Sequence, residues 1–265
     1  MANKLLEIAQ YKQKEVAARK QQAAIDVLER SILFGRPTLS LTASIAHAAG
    51  PRFITEFKRK SPSAGFIHRF AQVDQVLPLY EQAGAAAASV LTDEPFFGGT
   101  LQDLQTARQC TRMPLLRKDF IVDVYQIYEA KAYGADAILL IAAMLTRTEV
   151  QSFTQVAAQL GLDVLFEVHD FEEFETCYVP EIKLVGVNNR NLKTFDIDIS
   201  TSLKIVEQLP QDVVKISESG IQSAAEVAQL YAAGYKGFLI GTSFMKTSDP
   251  GQACIAFIEQ CKHII

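Results

Sequence analysis

The chain contains no tryptophan, no Cys-x-x-Cys pair, no long unbroken apolar run and no low-complexity segment or break in composition. The missing tryptophan excludes nothing by itself, but the other absences do. Cys110, Cys177, Cys254 and Cys261 are scattered singly, which argues against a zinc site or a disulfide framework and reads as packing. The most apolar run, residues 138–145, falls well short of the roughly 20 residues of a membrane-spanning helix. Residues 1–20 carry charges every few positions where a secretory signal would be apolar, so a soluble, cytoplasmic protein is expected. A formal net charge of -4 and a pI near 5.7 give no general footprint for nucleic acid or membrane. Any anion site must be local, and the expected partner is a small molecule.

With 265 residues, 49% of them hydrophobic, the chain can bury one large core. From Pro51 onward one unit recurs: a short β-branched or Ala-rich strand, a polar loop, and an amphipathic helix. Strands are expected near 52–58, 86–92, 114–119, 136–142, 163–169, 184–189, 213–219 and 237–241. Helices are expected at 73–82, 101–109, 123–133, 148–160, 171–177, 200–208, 223–233 and 250–263, with Gly84, Gly134, Gly161 and Gly234 at C-cap positions. Eight such units predict an α/β fold, a (β/α)8 TIM barrel. A doubly wound open sheet is the alternative, and the absence of G-x-G-x-x-G after the first strand weighs against it. The whole of 1–265 reads as one barrel domain, with residues 1–50 as an N-terminal helical extension built from a helix over 4–34 and a shorter one over 39–49. The apolar positions of this extension, Ile45 among them, lead directly into the first strand, which predicts docking over the catalytic end.

In such barrels chemistry gathers at the C-terminal ends of the strands. Strand one ends in Glu56 and Lys58, which share a face while Phe57 points to the other. The later strands deliver Thr92-Asp93-Glu94, Arg117-Lys118-Asp119, Glu167 with His169, Asn188-Asn189-Arg190, Glu218-Ser219-Gly220 and Gly241-Thr242. Any one of these residues alone is satisfied by a structural ion pair. The convergence of Glu56, Lys58, Lys118, Glu167 and Asn188 from four different strands points instead to acid-base chemistry, since lysines and glutamates in a partly dry mouth shift one another's proton affinities. Arg117 and Asp119 flank Lys118 and so face away from the axis as a supporting shell. His169 reads as a satisfied structural histidine.

A second constellation follows strands seven and eight: Ser217-Glu218-Ser219-Gly220-Ile221 and Ile240-Gly241-Thr242-Ser243-Phe244. Small residues let backbone N–H groups approach an anion, and a short helix starting near Ser243 adds its dipole. These loops predict a phosphate cradle at Ser219, Gly220, Gly241 and Thr242, with Arg190 as a charged contact to the same anion.

With these residues in place, the chain resembles the indole-3-glycerol phosphate synthase family over nearly its whole length. The motifs that carry the resemblance are Glu56-Phe57-Lys58-Arg59-Lys60-Ser61-Pro62-Ser63, Ser89-Val90-Leu91-Thr92-Asp93 with Phe96-Phe97-Gly98-Gly99, Leu116-Arg117-Lys118-Asp119-Phe120, Glu167-Val168-His169, Asn188-Asn189-Arg190-Asn191-Leu192 and the two small-residue loops. The resemblance implies a small-molecule phosphorylated substrate, 1-(2-carboxyphenylamino)-1-deoxyribulose 5-phosphate, closed into an indole with loss of carbon dioxide and water in tryptophan biosynthesis. It implies no cofactor and no metal, and it leaves room for association with neighbouring tryptophan-pathway enzymes. By the same resemblance Lys118 is the general acid and Glu167 its partner in the dehydration. Lys58 holds the substrate carboxylate, Glu56 orients the lysines, and Asn188 is a polar ligand of the reacting chain. Ser61, Phe97, Arg190, Glu218, Ser219 and Leu239 are then substrate contacts, with Leu139 in the apolar wall.

Gly98 stands where the family often has a polar residue, and Thr242 where it often has Ser. Thr keeps the hydroxyl, and the backbone N–H groups matter more. A sister barrel such as phosphoribosylanthranilate isomerase calls for a Cys and Asp pair, and no Cys lies at the C-terminal end of an expected strand. A catalytically silent barrel loses at least one of Glu56, Lys58, Lys118 and Glu167, all of which are present.

Overall fold

The computed structural model describes residues 4–191 and 194–264, so Leu192 of the Asn188–Leu192 motif and the first three residues of the expected extension lie outside the described residues. Eight parallel strands close into a barrel: β1 (Arg52–Phe57), β2 (Ala87–Leu91), β3 (Leu115–Lys118), β4 (Ala137–Ile141), β5 (Asp163–Val168), β6 (Leu184–Asn188), β7 (Val214–Glu218) and β8 (Gly237–Ile240). Each bonds its sequence neighbour, and β8 closes on β1 with Phe53 opposite Phe238 and Thr55 opposite Ile240. Every expected strand is therefore found. Burial on both faces explains why these runs are apolar throughout instead of alternating with polar residues. Ile54, Leu116, Leu139, Leu165, Leu184, Ile216 and Leu239 fill the inside of the barrel, while Phe53, Val90, Ile138, Phe166, Val185 and Phe238 face the helices.

The helices between strands fall where the periodicity places them, including Val73–Gln82 and Phe171–Cys177. Thr100, Thr146 and Ser223 each form a capping box with the acidic residue three positions on, so these starts are written locally. Gly84, Gly134, Gly161 and Gly234 all take the left-handed conformation expected of them. Helix 200–208 tightens into a 3-10 turn from Val206. Among the described residues, no helix is long and apolar enough to cross a membrane.

The extension differs from the expectation of one helix over 4–34. It forms α1 (Lys4–Gln22) and α2 (Ile25–Glu29), with Ala24 extended between them. No Gly or Pro marks this break, and its cause is tertiary. The Tyr125 hydroxyl donates to the carbonyl of Ala23 at 2.9 Å, and Leu28 packs with Val16 against Tyr125 and Ala132, turning the chain down the barrel's side. The expected helix over 39–49 shortens to α3 (Leu41–Ala46), started by the Ser40 side chain accepting from Ala43 N–H.

Ile45 does not dock over the catalytic end. Leu41 and Ile45 are fully buried against Ile54, Ala137, Leu165, Leu184 and Ile216, plugging the opposite end of the barrel. Burial of each contributes about 1.5–3 kcal/mol. Asp136 fixes this plug by accepting from Arg36 at 2.6 Å and Leu39 N–H at 2.8 Å, and Asp163 accepts from Thr42 N–H at 2.8 Å.

Candidate active site

Two residues beyond the inner apolar layer, the same strand parity reaches the barrel mouth. Ile54 is thus followed by Glu56, Leu116 by Lys118, Leu165 by Glu167, Gly186 by Asn188, Ile216 by Glu218, and Leu239 by Gly241. Glu56, Lys118, Glu167, Asn188, Glu218, Leu239 and Gly241 line a cavity of about 250 Å³, together with Lys58, Ser61, Phe97, Leu139, Arg190, Ser219, Gly220 and Thr242. Every site residue expected from sequence is brought to this one cavity.

Lys118 is its centre. The ammonium donates to Glu167 Oε2 at 2.6 Å and to Glu218 Oε2 at 2.9 Å, while Asn188 Nδ2 donates to Glu167 Oε1 at 3.1 Å. Burial opposes the charge on Lys118, but Glu167, Glu218 and Glu56 outweigh it and hold its pKa above the usual lysine value. Burial pushes both glutamates up as well. Glu167 is pulled back further by Lys118, His169 and the Asn188 hydrogen bond, to a net value of about 2. Glu218 stays raised, to about 7, because burial and the charge on Glu167 exceed the help from Lys118. One ammonium does not neutralise two carboxylates in a dry site, which is why Glu218 stays raised while Glu167 is lowered. The second oxygen of Glu218, Oε1, has no hydrogen-bond partner among the described residues.

Glu218, expected from the resemblance as a substrate contact, is therefore bound into the Lys118–Glu167 cluster. Gly186 makes this fit: a Cβ there would lie 2.0 Å from Glu218 Oε1. At the neighbouring position Glu56 forms an ion pair with Lys58, and Gly241 leaves the space Glu56 occupies, since a Cβ on Gly241 would fall 2.6 Å from its Oε1. His169 bonds Glu173 through Nδ1 at 3.1 Å, as a structural histidine does, yet its Nε2 also lies 3.5 Å from Glu167 Oε1. Burial lowers the proton affinity of His169, and the Glu173 hydrogen bond with the nearby Glu167 charge raises it more.

Arg117 faces away from the axis as expected, whereas Asp119, expected to do the same, borders the cavity while it pairs with Arg117. Arg117 is fully buried and donates to Glu129 at 2.7 Å, the Gln126 carbonyl at 2.8 Å and Asp119 at 3.0 Å, which anchors the backbone on both sides of Lys118. The apolar wall joins Phe97 to Phe120, with ring centroids 5.9 Å apart, and to Leu139 and Leu239. At the phosphate-loop end Ser243 Oγ donates to the Ile221 carbonyl at 3.0 Å, tying the two small-residue loops together, and the short helix there begins at Thr242. Arg190 lines the cavity, and its Nη1 donates to Ser63 Oγ at 3.2 Å and the Phe195 carbonyl at 3.4 Å. It bridges the loops after β1 and β6.

Among the lining residues that the sequence analysis did not name are Leu5 and Ile8 of α1. The expected docking of the extension over the catalytic end is thus made by α1 and not by the Ile45 segment. The same face carries Lys12 one turn on, fully buried, with Nζ 2.8 Å from Asp93 and 2.9 Å from Asp119. Burial opposes its charge, and Asp119 and Asp93 outweigh that and raise its pKa. Asp119 thus receives a cation from the extension, one residue from Lys118.

An acid-base cluster in an apolar-walled cavity at the strand ends makes this a (β/α)8-barrel enzyme for a small molecule. A family model for indole-3-glycerol phosphate synthase matches residues 5–257. Curated indole-3-glycerol phosphate synthases are 45% identical over 98% of this chain and 99% of the protein from Bacteroides thetaiotaomicron, and 44% identical over 94% and 96% in Koribacter versatilis. A third, from an Azoarcus species, is 48% identical over 77% of this chain and 78% of its own. The chain belongs to the indole-3-glycerol phosphate synthase family and is a carboxy-lyase. A solved thiamine phosphate pyrophosphorylase from Pyrococcus furiosus, with a TM-score of 0.60 at 16% identity over 85% of this chain and 100% of its own, shares the fold alone.

Proposed function

We propose that this site closes 1-(2-carboxyphenylamino)-1-deoxyribulose 5-phosphate into indole-3-glycerol phosphate, releasing carbon dioxide and water, with Lys118 as the general acid. The observation that carries the proposal is the Lys118 ammonium held between Glu167 and Glu218 beside an apolar wall. As the ring carbon bearing the carboxylate attacks the ribulose carbonyl, negative charge develops on the carbonyl oxygen. Lys118 stabilises that charge and supplies the proton. Loss of carbon dioxide restores the aromatic ring. The hydroxyl then leaves as water, taking a second proton from Lys118 recharged from solvent, and the proton released from the adjacent carbon goes to the carboxylate pair, so one proton is consumed overall. Of the two, Glu218 has the proton affinity matched to neutral pH, while Glu167 keeps Lys118 charged.

Lys58, with Glu56 setting its position, is the counter-ion for the substrate carboxylate, and Asn188 bonds the reacting chain. Phe97, Leu139 and Leu239 receive the aromatic ring, with Leu5 and Ile8 of the extension excluding water above it. Ser219, Gly220, Gly241 and Thr242 take the phosphate, with Ser61 and Arg190 as further contacts. The extension is part of one functional unit with the barrel. The four free thiols fit the reducing cytoplasm, where association with enzymes of neighbouring pathway steps belongs to the same proposal. Incubation with the carboxyphenylamino-deoxyribulose phosphate, against phosphoribosylanthranilate as control, should give indole fluorescence from the first compound alone. Turnover of the control, or of neither, overturns the reading.

A further inference from the structure

Behind the loop that follows β7 lies a buried polar ring to which the proposed reaction assigns no part. Asn189 is 2% exposed and lies outside the cavity lining, whereas Asn188 beside it lines the cavity. Asn189 Nδ2 donates to Ser217 Oγ and to the Ser219 carbonyl, each at 3.0 Å. Its Oδ1 accepts from Ser202 N–H at 3.1 Å and Ser202 Oγ at 2.8 Å. All four hydrogen-bonding positions of the carboxamide are filled, and the Ser202 N–H and Ser219 carbonyl fix which end is oxygen. The two serines lie 2.8 Å apart, so protons run one way round a closed ring: Asn189 to Ser217, Ser217 to Ser202, and Ser202 back to Asn189.

The ring's one outward bond goes to a strained residue. Ser219 has φ of 67° and Gly220 φ of 80°. Glycine adopts this left-handed conformation freely, and a serine does so at a cost that its surroundings must offset. The carbonyl of Ser219 is held by Asn189, and Ser219 with Gly220 forms one wall of the proposed phosphate site.

We propose that Asn189 is a positioning residue for phosphate binding: its buried carboxamide holds Ser219 in the left-handed conformation that shapes the loop for the phosphorylated end of the substrate. It sets affinity without touching the substrate. The inference rests on the phosphate-loop reading above, and one experiment separates the two. In the wild-type protein, inorganic phosphate should inhibit competitively. If it does not, the loop reading falls and this proposal falls with it.

Asn189→Ala should raise the phosphate inhibition constant and KM together, by roughly 5- to 50-fold, which is the scale of one lost hydrogen bond to a buried acceptor, with a much smaller change in kcat. Glycine at 219 needs no such support, so introducing Ser219→Gly into Asn189→Ala should recover most of the lost phosphate affinity. Ser202→Ala opens the ring from its far side and should give a smaller rise in the same constant, which keeps the test decisive if Asn189→Ala fails to fold. An unchanged phosphate constant in a folded Asn189 or Ser202 variant overturns the proposal. So does a fall in kcat at constant KM, which would mean that Asn189 acts through Asn188. Strict additivity of Asn189→Ala and Ser219→Gly overturns it as well.

Discussion

Glu167 and Glu218 face each other across a single ammonium, 2.6 Å and 2.9 Å from Lys118 Nζ, and their proton affinities are driven in opposite directions by that arrangement. Sharing one cation makes the two carboxylates distinguishable, with Glu167 held below and Glu218 above the ordinary glutamate value.

Lys118→Ala should abolish turnover while leaving substrate binding largely intact, because the carboxylate and phosphate contacts lie elsewhere. A general acid contributes roughly 10²–10⁴-fold, and stabilisation of charge on the carbonyl oxygen adds to that. Steady-state kinetics with a parallel binding titration checks this. Near-normal kcat would remove Lys118 from the mechanism.

The raised value of Glu218, about 7, predicts an acidic limb in kcat/KM, with activity falling below that pH as the carboxylate takes up its proton. Its linkage to stability has the opposite sign. Between the ordinary glutamate value of 4.5 and about 7 the native state holds a proton that the unfolded chain has released, so this group's contribution is present at low pH and is lost as pH rises through about 7. A profile of kcat/KM that stays flat from roughly pH 5.5 to 8.5 would show that Glu218 does not take the proton.

Gly186→Ala should leave a folded barrel with little activity, since the added methyl occupies the place of Glu218 Oε1 and must push that carboxylate off Lys118. Circular dichroism and kcat measured together separate this from misfolding. Gly241→Val should raise KM by blocking the phosphate loop. It should also disturb Glu56, whose side chain lies within 3 Å of where a Cβ would sit.

Lys12→Met should raise KM and lower thermal stability together. Removing the cation leaves Asp93 and Asp119 buried without it, a change that costs about 3–5 kcal/mol. It also frees α1, and with it Leu5 and Ile8, from the cavity mouth. Deleting residues 1–22 tests the covering role while keeping the plug of α3, which a longer deletion to residue 44 would damage. An unchanged KM in the folded deletion would show that α1 only stabilises the barrel.

Much of this protein is readable from local order in the chain. The strand-helix repeat, the Gly C-caps at 84, 134, 161 and 234, and the capping boxes depend on neighbours a few residues apart, so the sequence by itself specifies the eight units. Strand parity is equally local. Once Ile54, Leu116, Leu165 and Ile216 are inside, Glu56, Lys58, Lys118, Glu167 and Glu218 must converge at the mouth, and Arg117 must turn away. What only the tertiary structure decided are the pairings between groups distant in sequence. Nothing near Lys12 announces that it meets Asp93 and Asp119, and nothing near Ala24 marks a helix break, since Tyr125 imposes it from 102 residues away. Leu5 and Ile8 cover the cavity while Leu41 and Ile45 plug the far end, although all four belong to the same apolar-patterned extension before the first strand. Glu167 and Glu218 are indistinguishable as strand-end glutamates, and they part only when closure of the barrel sets both against one lysine and lets burial and charge act on each differently.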